Sequence, residues 1–146
     1  MTNHDFKLTA VLFRAMNHIE SMIVKDIESY DLNNTEFGTL EMLYHKGPRT
    51  IQTISKRLLM ANSSMTYTID KLEKKGYVKR VKDEKDRRNT EISLTTSGTE
   101  YIAFILSKHQ ETLRNLYKIL DEDEKVYLIE LMKKLGYYAE KLREDI

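Results

Sequence analysis

Apolar residues recur at every third or fourth position through nearly all of this chain, and one stretch breaks that rhythm. In Tyr77-Val78-Lys79-Arg80-Val81, and again in Thr90-Glu91-Ile92-Ser93-Leu94-Thr95, apolar and polar side chains alternate instead. The polar run KDEKDRRN lies between the two. Two alternating runs joined by a polar loop specify a β-hairpin, because a period of two puts every other side chain on one face. The chain therefore reads as mainly α with a single small hairpin. At the hairpin's tip Lys82, Lys85, Arg87 and Arg88 crowd together with Asp83, Glu84 and Asp86. A solubilising loop would account for such a tip in isolation; its surroundings argue for more.

Those surroundings are helical. Leu8, Val11, Leu12, Ala15, Met16, Ile19, Met22, Ile23 and Ile27 form one stripe of a long first helix reaching about Tyr30. Asn33 with Glu36 three residues on is a cap-and-return pair that opens a second helix, expected to bury Phe37, Leu40, Leu43 and Tyr44. Gly47-Pro48 stops it. Thr50 can cap a short third helix carrying Ile51, Ile54 and Leu58. A break at Leu59-Met60-Ala61 precedes a fourth, from Asn62 to Lys75, closed by Gly76. After the hairpin, Thr95 or Thr96 caps a long fifth helix. Asp121 and Glu124 form the capping box of a sixth, striped by Leu128, Met132, Leu135, Tyr138, Ala139 and Leu142. The hairpin supplies the only two strands expected.

Composition removes several classes of function. The 146 residues include no cysteine, so neither disulfides nor thiol chemistry is available. No apolar run approaches the ~20 residues of a membrane span, and the first residues lack the layout of a secretory signal; cytoplasmic residence without membrane contact is expected. There is no nucleophile elbow, no phosphate-binding glycine loop and no marked carboxylate pair, so an enzyme is not expected, nor is a cofactor. His4, His18, His45 and His109 are scattered, with no i, i+4 pair among them. The net charge of +1 is uninformative, but its distribution is not. Arg49 to Arg88 holds 12 Lys and Arg against five Asp and Glu, a local +7, which leaves −6 for the rest. A compact basic segment in an otherwise acidic chain is a footprint for a polyanion, the plainer alternative being a solvated basic face.

Two short helices joined by a tight break, followed by a hairpin with a basic tip, have the layout of a winged helix-turn-helix. In that unit the second helix enters the major groove and the wing reaches the adjacent backbone or minor groove. On a helical wheel Met65, Ile69 and Leu72 share the packing face of the fourth helix. Ser63, Tyr67, Asp70, Lys71 and Lys74 lie opposite, with Asn62, Ser64 and Thr66 flanking. Hydroxyls and amides at the helix start suit base edges and phosphates, and lysines further along suit phosphates. An ordinary amphipathic helix would also be polar there; the neighbouring hairpin and the local +7 favour DNA.

The stretch from Thr50 to Gly98 resembles the core of the MarR family of bacterial regulators. The matching pieces are Met65-Thr66, then Leu72-Glu73-Lys74-Lys75-Gly76, then Val78 and Arg80, Asp86-Arg87-Arg88, and Leu94-Thr95 with Gly98. The resemblance implies a homodimer held by the terminal helices (1–32 and 97–146), with residues 33–96 as the winged DNA-binding part of a single 146-residue domain. It implies a palindromic operator as partner, repression, and release by a small aromatic or phenolic effector. At the wing tip it implies that Arg88 enters the minor groove while Asp86 aims its guanidinium. The expected DNA-contacting set is then Thr50, Asn62, Ser63, Ser64, Thr66, Tyr67, Lys71, Lys74, Arg80, Lys82, Lys85, Asp86, Arg87 and Arg88. Met16, Phe37, Tyr44 and Phe104 are expected to line an effector pocket between the dimer helices and the winged part, core packing being the plainer role for each. Where the family usually has Ser or Asp capping the recognition helix, Ala61 stands, at a cost of ~1 kcal/mol; Asn62 is expected to take over the cap. Two alternatives stay open: a dimeric adaptor acting through protein partners, and a zinc-responsive regulator using Glu41, His45 and His109.

Overall fold

The computed structural model describes residues 3–86 and 89–145. Its elements in chain order are α1 (His4–Glu28), α2 (Asn34–Lys46), β1 (Arg49–Thr50), α3 (Ile51–Arg57), α4 (Asn62–Lys74), β2 (Val78–Lys82), β3 (Thr90–Leu94), α5 (Thr96–Tyr117) and α6 (Glu122–Glu144). Residues up to His109 form one compact unit, and those from Gln110 onward form another.

Local chemistry sets most of these boundaries. Both capping boxes form. Asn33 Oδ1 accepts from Glu36 N at 2.8 Å and Glu36 Oε1 accepts from Asn33 N at 3.1 Å; Asp121 and Glu124 repeat the exchange at 2.8 and 3.0 Å. Thr50 Oγ1 accepts from Thr53 N at the start of α3. Thr95, rather than Thr96, caps α5: its Oγ1 accepts from Gly98 N at 2.9 Å while donating to Gly76 O at 2.6 Å. Gly98 is required for that closure, since a Cβ there would stand 2.0 Å from Tyr77 O.

The sheet has one strand more than expected. β1 pairs with β3, placing Arg49 opposite Ile92, and β3 pairs on its other side with β2, placing Val78 opposite Leu94 and Arg80 opposite Ile92. The order β1-β3-β2 makes β3 the central strand. A two-residue strand is too short to display alternation, which is why the sequence pattern does not reveal it.

The core of the first unit is the expected face of α4 (Met65, Ile69, Leu72) packed with Leu40, Ile54, Val78, Ile92, Ile102 and Ile105, each at most 2% exposed. Burying such a side chain stabilises the fold by ~1.5–3 kcal/mol. Tyr44 departs from expectation. It is 42% exposed, its ring set edge-on against His45, because one step past the buried Leu43 turns it to the solvent side of α2. A charged group also lies in this interior. Glu36, 2% exposed, accepts from Lys75 Nζ at 2.9 Å and has Lys71 Nζ at 3.9 Å. Ile27 is the buried residue of α1, and α6 has none.

Glu36→Ala removes half of a capping box and leaves Lys75 without its carboxylate. Such losses cost ~1 kcal/mol for a cap and more for a broken, partly buried ion pair. A drop of roughly 2 kcal/mol or more in unfolding free energy is expected by urea denaturation, against a change within ~0.5 kcal/mol for exposed Glu122→Ala.

Candidate nucleic-acid interface

Helix α4 turns Asn62, Ser63, Ser64, Thr66, Tyr67, Asp70 and Lys74 outward, while Met65, Thr68, Ile69 and Leu72 face the core. Tyr67 is 66% exposed. The N-cap expectation needs correcting. Ala61 itself holds the cap position, with extended backbone angles (φ −71°, ψ 146°) and no side-chain hydrogen bond. Asn62 is already inside the helix, so its side chain does not replace the cap. The other helices whose starts are described have a capping side chain: Asn3, Asn33, Thr50, Thr95 and Asp121.

The wing is tied directly to α4. Arg80, on β2, places its guanidinium between Asp70 and Glu73, with N–O distances of 2.6 Å to each. The hydrogen bond to Asp70, helped by the field of Glu73, raises the Arg80 pKa further above its ordinary value. Asp70 and Glu73 were not among the expected functional residues. Their i, i+3 spacing on one helix face was the available signal. Lys71 is similarly drawn inward, its ammonium 3.9 Å from Glu36 and 5.8 Å from the centre of the Tyr67 ring. Thr50 is occupied as the cap of α3 and also exchanges a 3.0 Å hydrogen bond with the Thr53 hydroxyl.

Beyond β2 the wing loop closes on itself. Asp83 N donates to Asn89 O at 2.9 Å, Asn89 N to Asp86 O at 3.0 Å, and Lys85 N to Asp83 Oδ1 at 2.9 Å. Lys82 and Lys85 are exposed along it. Arg87 and Arg88 lie outside the described residues. The four positions expected to line an effector pocket are not alike. Phe37 is in the core with its ring edge-on to His109 at 5.1 Å, whereas Met16, Tyr44 and Phe104 are between 42% and 57% exposed. A separate groove of about 670 Å³ in the second unit is lined by Leu113, Tyr117, Leu128 and Met132 with Arg114 and Lys133. His109 is buried, Nδ1 lying 2.8 Å from Asp26 Oδ2. Among the described residues no group of three or more His, Asp or Glu is arranged to hold a metal ion, so Glu41, His45 and His109 are not brought together as a zinc site. Nor, among them, is any helix long and apolar enough to cross a membrane.

A hydroxyl- and amide-rich helix start beside a wing strapped to the same helix is the geometry of a winged helix-turn-helix reader. Comparison with known proteins agrees. The MarR family model matches residues 32–90. The HTH-type transcriptional regulator YkoM of Bacillus subtilis is 37% identical over 135 residues, covering 92% of this chain and 88% of that protein. The HTH-type transcriptional regulator MhqR of the same organism is 37% identical over 139 residues, 95% of this chain and 96% of that one. The chain belongs to the MarR family. Its fold also matches a mutant MarR from E. coli complexed with operator DNA, at a TM-score of 0.77 and 23% identity over 91% of this chain and 96% of that one. This MarR-family protein is thus a DNA-binding transcription regulator, and its relatives are regulators rather than enzymes.

The Arg80 bridge separates two roles for that residue. As a strut, Arg80→Ala and the pair Asp70→Ala/Glu73→Ala are expected to weaken DNA binding by similar factors, and the triple variant by no more than either. Additive losses in fluorescence-anisotropy titrations would instead assign Arg80 a phosphate of its own.

Proposed function

We propose that this MarR-family regulator binds a palindromic operator as a homodimer, represses transcription there, and is released by a small aromatic ligand. The observation that carries the reading is the outward face of α4, where Asn62, Ser63, Ser64, Thr66 and Tyr67 are open to a major groove beside a wing held at a fixed angle. Residues 33–96 form the DNA-binding part in this reading, and 1–32 with 97–146 the dimer helices. Lys74, Lys82, Lys85 and Arg87 meet flanking phosphates, and Arg88, aimed by Asp86, enters the minor groove, where the negative potential is strongest. The operator-bound state of the E. coli relative supports DNA as the partner.

Unpartnered apolar faces support the homodimer. On α1, Phe6, Phe13 and Met16 are more than half exposed, and on α6 Leu128, Met132, Leu135 and Leu142 remain between 38% and 46% exposed. Apolar surface of that extent is unusual on a monomer. A two-fold pair would present two α4 helices to successive major grooves, ~34 Å apart. With no cysteine available for a thiol switch, control rests with a reversible ligand, methionine oxidation or the amount of protein, and of these the reading takes the ligand. By holding the two α4 helices at another spacing, it would need to favour that state by several kcal/mol to empty the operator.

One titration tests the whole reading. Wild-type protein should saturate a selected palindromic duplex at two chains per duplex. Arg88→Ala should lose roughly 1–3 kcal/mol of binding and about one unit of salt slope. Salicylate or simple phenols should release the complex. Binding by a single chain, wild-type affinity for Arg88→Ala at matched salt, or release by peroxide reversed by reductant with no response to aromatics would each overturn the corresponding part.

A further inference from the structure

Helix α4 contains no arginine, and the fold has already engaged most of its charged side chains. Asp70 and Glu73 both hold Arg80 at 2.6 Å. Lys71 leans towards the buried Glu36 carboxylate. Lys74 lies in the last turn, away from the helix start that meets base edges. The hydroxyls divide in the same way. Thr66 Oγ1 donates to Asn62 O at 2.9 Å, which uses its one proton and leaves its methyl group, with an oxygen that can only accept, open to a ligand. Thr68 is buried and donates to Ser64 O at 3.1 Å. Among the described residues, the side chains of Asn62, Ser63 and Ser64 have no internal hydrogen bond, and Tyr67 meets only the Lys71 ammonium through its ring face.

This inventory is selective in what it can read. Guanine is recognised chiefly by Arg or Lys paired to O6 and N7, and cytosine by an Asp or Glu accepting from N4. On α4 the first group is absent or drawn away, and the second is neutralised by Arg80. What remains open matches the other base pair. Asn donates to and accepts from adenine N6 and N7, while a threonine methyl and an aromatic ring pack on the thymine methyl. Ser63 and Ser64 suit either base or a phosphate. Asn62 and Thr66 are one turn apart, so their Cβ atoms are ~5–6 Å apart, less than two base-pair steps at ~3.4 Å each.

Given that α4 is the base-reading helix, we propose that each operator half-site carries A·T at two base pairs no more than two steps apart. Asn62 reads the adenine of one, and the methyl of Thr66 with the Tyr67 ring reads the thymine of the other. The structure leaves α4 no arginine and no unpaired carboxylate with which to specify G·C at these positions.

Selection from a random duplex pool with the full-length protein, repeated with Asn62→Ala and Thr66→Ser, tests this. Both variants replace exposed side chains with small ones and leave the core and the Arg80 bridge intact. Wild type should enrich a palindrome with A·T at the two positions. Replacing the first pair by G·C should weaken binding by about fivefold to 150-fold, and Asn62→Ala should lose that preference alone. Replacing thymine by uracil at the second position should weaken wild type more than Thr66→Ser, in which only the Tyr67 ring is left to meet that methyl. Guanine or cytosine enriched at positions whose preference vanishes in either variant would overturn the A·T assignment and leave α4 as the reader. A palindrome enriched identically by all three proteins would overturn Asn62 and Thr66 as the readers, and with them this proposal. No enrichment at all would overturn operator recognition as a whole.

Discussion

Glu36 is the fixed point of the helix-turn-helix. Its carboxylate is almost wholly withdrawn from water, and an isolated charge in such a place costs several kcal/mol. Three groups offset that cost: Asn33 N at the start of α2, Lys75 Nζ just past the end of α4, and Lys71 Nζ one turn back at longer range. Lys75 Nζ also donates to Asp31 O, in the turn between α1 and α2, where Asp31 itself has a left-handed backbone (φ 59°). One carboxylate thus joins the start of α2, the preceding turn and the C-terminal end of α4. Apolar packing of Met65, Ile69 and Leu72 draws α4 onto the core but is non-directional. A partly buried ion pair with directional hydrogen bonds resists sliding and rotation of the helix, and so fixes which face of α4 remains outward.

The Arg80 bridge performs a related task at the surface. Exposed ion pairs usually contribute little, ~0–1 kcal/mol, so its value lies in geometry more than in stability. A guanidinium held by two carboxylates one turn apart on the same helix fixes both the direction and the distance of β2 from α4. Beneath it, Val78 and Ile92 pack into the core, and Thr95 and Gly98 close the far end of the hairpin against the Tyr77 carbonyl. The aromatic pair Tyr77–Tyr101, stacked at 4.5 Å, extends that closure to α5, and the Tyr101 hydroxyl donates to Tyr30 O. Burial, with Tyr77 nearby, pushes the Tyr101 phenol's pKa upward, so it stays a donor across the neutral range.

How much of this was legible in the sequence depended on the separation of the partners. Asn33 with Glu36, Asp121 with Glu124, and Thr50 with Thr53 are local, and each appears as a cap three residues from the backbone N–H it accepts from. The buried stripe of α4 and the two hairpin strands follow from periodicity alone. What periodicity cannot give is the partner across the fold. Glu36 and Lys75 are 39 residues apart, Arg80 and Asp70 ten, and β1 has two residues with which to announce a pairing to β3. The Asn62 cap failed for a different reason. The helix begins one residue too early for an asparagine at that position to lie outside it. The stripes of α1 and α6 were correctly read as helix faces, but a stripe does not identify what covers it: in the single chain that of α6 and the start of that of α1 remain exposed, while the end of the α1 stripe reaches the core at Ile27.

The local +7 between Arg49 and Arg88 also changes meaning once its members are placed. Arg80, Lys71 and Lys75 stand on carboxylates of their own chain, so they add less to the attraction for phosphates than their number implies. Using cations to hold a protein's own elements looks wasteful next to a polyanion until the alternative is considered. A wing free to swing and a helix free to rotate would have to be ordered on binding, at ~0.5–1.5 kcal/mol for each immobilised side chain and more for a loop. Intramolecular ion pairs accept that ordering during folding, when the core supplies the driving force. In the proposed reading Lys74 on the helix and Lys82 and Lys85 on the wing, which are among the cations not so engaged, meet the duplex from positions already set. Affinity lost in charge is in this way returned as geometry, and geometry is what a reader of base edges requires.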